Sequence, residues 1–318
     1  MKKILIIGGG SIGERHLRCF LQTGRAVVSL CDTNRQICER IANSYEVDAV
    51  YHALDSALEN DFDGAVVCTP AHLHVPIARQ LAERGIALLI EKPLSTTTAG
   101  IDDLISLIQE KNLPASVAYV TRAHPALIDM KRAIDSGRFG KPVQVVLTSG
   151  QNFPFYRPAY REIYYTRHET GGGAIQDALT HSLNAAEWLV GPITKLVADA
   201  EHLLLEGVDV EDTAHVMTRH GDILGSFSLN QHQAPNESQL TVICERGTVR
   251  FEAHNAHWLS CVEPGENWFI ENEFRIERDD LFEKQANAFL DLLDGQQSPA
   301  CSLGEGLQTL KVNLAALE

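Results

Sequence analysis

The stretch "KILIIGGGSIGERHLRCFLQTGRAVVSLCD", residues 3–32, decides how the rest of the chain is read. A short apolar run ends in three glycines, an amphipathic segment "GERHLRCFLQT" follows, and a second apolar run, "AVVSLCD", closes on an acid. Both apolar runs are continuous rather than alternating, as in strands covered on both faces. Gly8, Gly10 and Gly13 have the spacing of a dinucleotide-binding turn. Gly8 permits a tight turn, Gly10 lets main chain approach a pyrophosphate, and Gly13 lets the helix lie close on the sheet. The helix amino terminus then faces the anion. Asp32 stands 19 residues beyond Gly13, about where an acid that accepts from ribose hydroxyls is expected. Such an acid repels a 2'-phosphate and favours NAD, while Arg35, three residues on, works against that preference and leaves NADP open. The alternative is a purely structural turn in which Ser11 and Glu14 form a capping box.

Outward from this unit the alternation continues. Helical "TNRQICERIANSY", apolar "GAVVCTP", helical "HLHVPIARQLAERG", apolar "IALLIEKP" and helical "TAGIDDLISLIQEKN" lead to "PASVAYV". Strand and helix in turn imply a parallel sheet with helices on both faces, a Rossmann-type domain over residues 1–120. Beyond it the pattern changes to a helical piece "HPALIDMKRAIDSGRFG", a strand "VQVVLTSG", an aromatic and charged loop, another helix, and segments with two-residue alternation. In "DTAHVMTRHGDILGSFSLN" and "QLTVICERGTVRFEA" the Gly-Asp and Arg-Gly dipeptides sit where hairpins reverse. Residues 121–318 therefore read as an α+β domain with a mostly antiparallel open sheet.

Composition narrows the function classes. A chain of 318 residues is long for one core and suits two domains. A formal charge of -15, without a Lys/Arg run, speaks against nucleic acid as partner. The apolar runs are far short of a membrane span, and "MKKILIIGGG" turns to glycine before a signal sequence could form, so no membrane partner and a cytoplasmic location are expected. Seven cysteines without a CxxC pair read as small buried apolar residues.

Three places carry candidate chemistry. In "LLIEKPLS" Lys92 follows an apolar run and precedes a proline, so its ammonium emerges at the carboxyl edge of the parallel sheet, where open α/β folds bind ligands. Glu91 faces the other way and supports the cofactor pocket rather than the chemistry. In "ETGGGAIQDALTH" Asp177 and His181 are four residues apart, on one face of a helix. A metal-ligand pair, a catalytic pair and a solvent-facing pair all fit this spacing. In the catalytic reading His181 exchanges a hydroxyl proton, Asp177 orients the ring or binds a neighbouring hydroxyl, and the three glycines keep the approach clear of Cβ atoms. The loop "FPFYRPAYREIYYTRHETGGG" interleaves tyrosines with Arg157, Arg161 and Arg167, which suits either a sugar stacked on rings or a subunit contact. Tyr165 and Arg167 from this loop, and Arg122 after the last strand of the first domain, are candidates for holding substrate.

The glycine turn, "CTPAHLHVPIARQLAERG", "EKPLSTTTA" and "GGGAIQDALTH", in this order, resemble the Gfo/Idh/MocA oxidoreductases. That resemblance covers nearly the whole chain. It implies a cofactor site built from Gly8, Gly10, Ser11, Ile12, Gly13, Asp32, Thr69, Pro70, His74, Glu91 and Lys92, with catalytic Lys92, Asp177 and His181. It also implies that related chains continue a little beyond "GLQTLKVNLAALE". The expected activity is an NAD-dependent dehydrogenase of a sugar, cyclitol or sugar derivative, assembled as a homodimer or homotetramer. The alternatives are a non-catalytic NAD(P)-binding sensor of the same fold and a hydrolase or epimerase that retains its cofactor. An open sheet whose alternating strands carry apolar residues on both faces, as in "LTVICERGTVRF", points to self-association.

Overall fold

A computed structural model describes residues 1–318, which divide into two compact units: Met1–Ala123 with Glu277–Leu307, and His124–Ile276 with Gln308–Glu318. In the first unit β1 (Lys2–Ile7), β2 (Ala26–Cys31), β3 (Val50–Tyr51), β4 (Gly64–Val67), β5 (Ala87–Ile90) and β6 (Ala115–Val117) form one parallel sheet in the order β3-β2-β1-β4-β5-β6. Between the strands run α1 (Ser11–Gln22), α2 (Arg35–Ser44), α3 (Leu54–Ala57), α4 (His74–Glu83) and α5 (Ile101–Glu110). This is the doubly wound order, whose direction reverses between β1 and β4, and in such sheets that switch point is where ligands bind. The continuous apolar strands are covered: Ile4, Ile6, Val28, Leu30, Val66 and Leu89 share one core with Leu17 and Phe20 of α1.

That core also holds Ala286, Phe289 and Leu290, from the helix Asp280–Leu293. A single division at residue 120 therefore needs correcting, because residues 277–307 return to the first unit. The cause is an apolar stripe that finds its complement on the first sheet. Phe289 meets Phe20 edge-on at 6.2 Å and fills the space over Gly64, where a Cβ would lie 2.9 Å from its ring. Arg18 grips Asp279 with two parallel bonds of 2.6 and 2.8 Å.

In the second unit β7 (Pro142–Gly150), β8 (Lys195–Glu201), β9 (Thr213–His220), β10 (Ile223–Asn230), β11 (Glu237–Cys244), β12 (Gly247–Glu252), β13 (His257–Cys261) and β14 (Phe269–Glu273) form a sheet in the order β14-β13-β12-β11-β7-β10-β9-β8. Its pairs are antiparallel except β7 with β10. Two-residue alternation works as expected: Val145, Leu147, Ala214, Val216, Phe227, Leu229, Leu240 and Val242 turn to one side. There they meet Leu127 and Met130 of α6 (Pro125–Asp135), beyond which the chain carries α7 (Phe153–Tyr156) and α8 (Thr180–Val190). Leu183, Ala186 and Leu189 of α8 join the same core.

After α9, the helix Asp280–Leu293, comes α10 (Leu303–Leu317), whose later turns belong to this second unit. They are tied to α8 by buried polar contacts. Thr309 donates to Glu187 Oε2 at 2.7 Å and accepts from Asn184 at 2.9 Å, and Asn313 donates to Thr180 at 2.8 Å. Thr309→Val keeps the shape but strips a donor from one buried partner and an acceptor from the other. It is expected to lower unfolding free energy by about 1–3 kcal/mol in urea denaturation.

Candidate active site

At the end of β1 the chain turns at Gly8, whose φ of +93° and close approach leave no room for a side chain. A Cβ there would lie 2.8 Å from the Cys68 carbonyl oxygen. At Gly13 a Cβ would fall 1.7 Å from the Gly8 carbonyl oxygen, so helix and turn touch where only hydrogen fits. A side chain at Gly10 would meet nothing within 4 Å. Gly10 caps α1 without any side-chain hydrogen bond. The capping box of Ser11 and Glu14 is not formed, because Glu14 instead accepts from Arg40 at 2.6 Å and Tyr45 at 3.0 Å. Asp32, just after β2, accepts the Gly9 N–H at 2.6 Å and the Asn34 N–H at 2.7 Å, so it holds the rim of the glycine turn in addition to any ligand. Each oxygen retains acceptor capacity. Thr69, after β4, has an enclosed hydroxyl with no hydrogen-bond partner in the protein, and Pro70 beside it is exposed. An open glycine, a helix start without a side-chain cap, a carboxylate on the rim and an orphaned hydroxyl are what a dinucleotide requires.

The next turn leaves β5 through Glu91, Lys92 and Pro93, with a cis bond between the last two. Lys92 is half-buried and Glu91 buried. Glu91 Oε1 accepts from His16 Nε2 at 2.7 Å, and its Oε2 accepts the Lys92 N–H at 2.9 Å. Burial pushes the Glu91 carboxyl up, but the hydrogen bond from His16, with Lys92 alongside, outweighs it and holds the group below the usual carboxylate range. His16, on the buried face of α1, was absent from the residues picked out by sequence.

His74 needs correction as a direct cofactor contact. Its ring is buried, Nε2 lies 2.7 Å from the Thr69 carbonyl and Nδ1 3.0 Å from that of Pro93, so neither nitrogen is left for a ligand. It ties the β4 turn to the β5 turn. Burial holds its pKa below the ordinary value, against the pull of the Thr69 carbonyl and Glu91.

In the second unit Asp177 sits on a π-helical stretch, Ile175–Leu179, that runs straight into α8 at Thr180. A π turn is rare and concentrates at functional positions. Asp177 is buried and accepts from the Tyr164 hydroxyl at 2.5 Å, while His181, a turn on, is half-buried. No group of three or more His, Cys, Asp or Glu side chains stands close enough to hold a metal ion.

The glycines before this stretch serve a different purpose from the one expected. A Cβ at Gly172 would lie 2.1 Å from the Tyr165 carbonyl, and one at Gly173 2.4 Å from the Glu211 carboxylate. They make room for the protein's own loop. Glu211 accepts the Ile175 N–H at 2.8 Å and pairs with His168 Nε2 at 2.5 Å.

Two further candidates are also corrected. Tyr165 has no exposed surface; it packs with Phe153 and Tyr160 and donates to Gln231, because its ring completes the small core beneath the loop. Arg122 is buried in the first unit, donating to Glu305 at 2.6 Å and to the Ala300 carbonyl at 3.0 Å, so its charge is spent on holding the 300s segment. Arg167 is exposed, with its carbonyl accepting the Gly172 N–H at 2.8 Å.

The first unit defines the class: a dinucleotide-binding Rossmann domain, here in a chain with an open-sheet unit. Residues 2–119 match the oxidoreductase family described as having an NAD-binding Rossmann fold, and residues 127–250 match the GFO/IDH/MocA C-terminal domain. The chain belongs to the Gfo/Idh/MocA oxidoreductase family. Among its relatives, inositol 2-dehydrogenase of Rhizobium meliloti (strain 1021) is 26% identical over 188 residues, 58% of this chain and 54% of that protein. The match thus spans about half the length of such relatives. A levoglucosan dehydrogenase structure in complex with NADH has a TM-score of 0.90 at 20% identity, covering 99% of this chain and 96% of that one. The WlbA dehydrogenase of Bordetella pertussis, in complex with NADH and UDP-GlcNAcA, has a TM-score of 0.85 at 24% identity, covering 99% and 94%. At these identities the structures establish the fold. No helix is long and apolar enough to cross a membrane.

The His168–Glu211 pair makes the loop pH-sensitive. The hydrogen bond to Glu211 raises the His168 pKa in the folded protein, against partial burial. Its contribution is complete below the unfolded value of about 6.5 and is lost as pH rises through the elevated folded one. Amide exchange at Gly172–Ile175, corrected for intrinsic rate, is expected to accelerate across that rise, and His168→Gln to remove the step.

Proposed function

We propose that this chain is an NAD-dependent dehydrogenase acting on a hydroxyl of a sugar, cyclitol or sugar derivative. The observation that carries the reading is the joint retention of the glycine turn with Asp32, of Lys92 at the carboxyl edge of the sheet, and of Asp177 with His181 on the π-to-α helix. Relatives named as inositol and levoglucosan dehydrogenases support the polyol class. NAD held by the glycine turn would supply a hydride acceptor. Asp32 binds the ribose hydroxyls, and the α1 N–H groups receive the pyrophosphate. His181 accepts the proton of the substrate hydroxyl. The Lys92 ammonium stabilises the negative charge that develops on the same oxygen. Asp177, with Tyr164 on one of its oxygens, orients the imidazole or a neighbouring substrate hydroxyl. Exposed Arg167 contacts substrate from the loop.

Asp32 supports NAD over NADP. The wild type is expected to bind NADH more tightly than NADPH by fluorescence titration, and Asp32→Ala to narrow the gap by removing acceptor and charge together. Equal affinities in the wild type would overturn this preference.

A thermal-shift screen of cyclitols, sugars and uronates with NADH present identifies the substrate. With it, Lys92→Met is expected to keep NADH binding while kcat falls by roughly a hundredfold or more. The wild-type kcat for oxidation is expected to rise with pH through the imidazole range, since only neutral His181 accepts a proton, and His181→Ala to flatten that rise. Activity of Lys92→Met near wild type would leave Lys92 a scaffold residue.

The open face of the second sheet supports a homo-oligomer. Val197 and Met217 are paired across β8 and β9 and are 66% and 64% exposed, and the same row continues through Ser226 to Val146. Light scattering at micromolar concentration is expected to report a dimer or tetramer, and Met217→Lys to shift it toward monomer.

A further inference from the structure

The residues between the glycine turn and Lys92 form a continuous chain of contacts. His16 lies one turn beyond Gly13 on α1, with no exposed surface and its ring edge against Phe282 at 5.4 Å. Its Nε2 lies 2.7 Å from Glu91 Oε1, and Nδ1 is enclosed without a partner. A donor at Nε2 and a bare acceptor at Nδ1 is the tautomer that fits, since a proton on Nδ1 would be buried unpaired. Glu91 in turn spends its second oxygen on the Lys92 N–H. We propose that His16 is a positioning residue for hydride transfer: through Glu91 it fixes the main chain of Lys92 against the helix that begins the cofactor turn. This rests on the role given to Lys92 above.

The physical reason is that the carboxylate has no slack. With His16 gone, Glu91 keeps one main-chain donor in a buried place, so it takes up a proton or swings toward water. Either change weakens or removes its hold on the Lys92 N–H. The neighbouring Glu91 N–H, which donates to the Val67 carbonyl at 3.0 Å, is untouched and serves as an internal reference. His74 braces Pro93 from the other side through its carbonyl, so the turn loosens locally and does not come apart.

The test needs no substrate for its first readout. Amide exchange at Lys92, measured by NMR in the NADH-bound protein, is expected to accelerate roughly tenfold relative to Glu91 in His16→Phe. His16→Gln, whose side-chain amide reaches as far as Nε2, is expected to stay with the wild type. His16→Met, which packs against Phe282 without a donor, stands in if the phenylalanine variant does not fold. The second readout is kinetic. With a confirmed polyol, the variants lacking a donor are expected to lose kcat by roughly tenfold to a hundredfold, the scale of a small misplacement of a reacting group. The KM for NAD is expected to stay near wild type and His16→Gln to recover most of kcat. Unchanged Lys92 exchange in both His16→Phe and His16→Met would overturn the proposal, as would faster exchange with unchanged kcat. If the wild type turns over no polyol, the dehydrogenase reading fails while the exchange data still decide whether His16 holds Lys92.

Discussion

The contact between Gly13 and the Gly8 carbonyl is the constraint from which the first unit is built. A Cβ 1.7 Å from an oxygen cannot be accommodated by a small adjustment, so α1 lies as close to the sheet as main chain allows only because residue 13 is glycine. Everything on α1 inherits that closeness. His16 reaches Glu91 on the far side of β4, Phe20 reaches Phe289, and Arg18 reaches Asp279. Of the two ties to α9, the apolar one is the larger. Burying a phenylalanine contributes about 1.5–3 kcal/mol, whereas a partly exposed ion pair contributes at most about 1. The arginine fork fixes the register of a contact that the rings stabilise.

A second constraint organises the other unit. The π-helical turn at Ile175–Leu179 exists within a helix otherwise α-helical, and the loop residues around it hold it there. Glu211 receives the Ile175 N–H and crowds Gly173, and Tyr164 reaches Asp177. A π turn takes about 4.4 residues rather than 3.6, so the four residues from Asp177 to His181, which start in the π stretch and end in α8, come close to one full rotation. Asp177 and His181 therefore share a face with less angular offset than an α-helix throughout would give. Tyr164 thus holds the Asp177 side chain while Glu211 holds the start of the turn that carries it.

What the sequence discloses is what is local or periodic. The strand, turn, helix and acid of residues 3–32 are fixed by spacing, and the hairpins of the second unit by alternation with turn dipeptides, so both were legible without the structure. What it hides is the choice of distant partner. Arg122 meets Glu305, Tyr165 meets Gln231 and His16 meets Glu91 across 183, 66 and 75 residues, and nothing in composition or period assigns those pairs. One signal was present at His16. It occupies the apolar stripe of α1 with Gly13, Leu17 and Phe20, and a polar side chain at such a position implies a buried partner. Three residues taken as ligand contacts and found buried, His74, Tyr165 and Arg122, carry the converse lesson: a polar side chain near a motif can serve the protein's own structure rather than its ligand.

The charge balance fits this division of labour. A chain of net charge -15 presents a repulsive field to a dinucleotide, yet that field is screened beyond about 8 Å at physiological ionic strength. Within that distance, attraction has to come from the turn itself. Main-chain N–H groups at the start of α1 can supply it without a cation, provided that no side chain caps them, and Gly10 meets that condition. An arrangement resting on main-chain dipoles tolerates little movement, because dipole attraction falls faster with distance than that of a mobile lysine would. The close seat of α1 and the Asp32 bond to Gly9 are thus two parts of one requirement: in an acidic protein, an anion held by main chain needs that main chain to stay where it is.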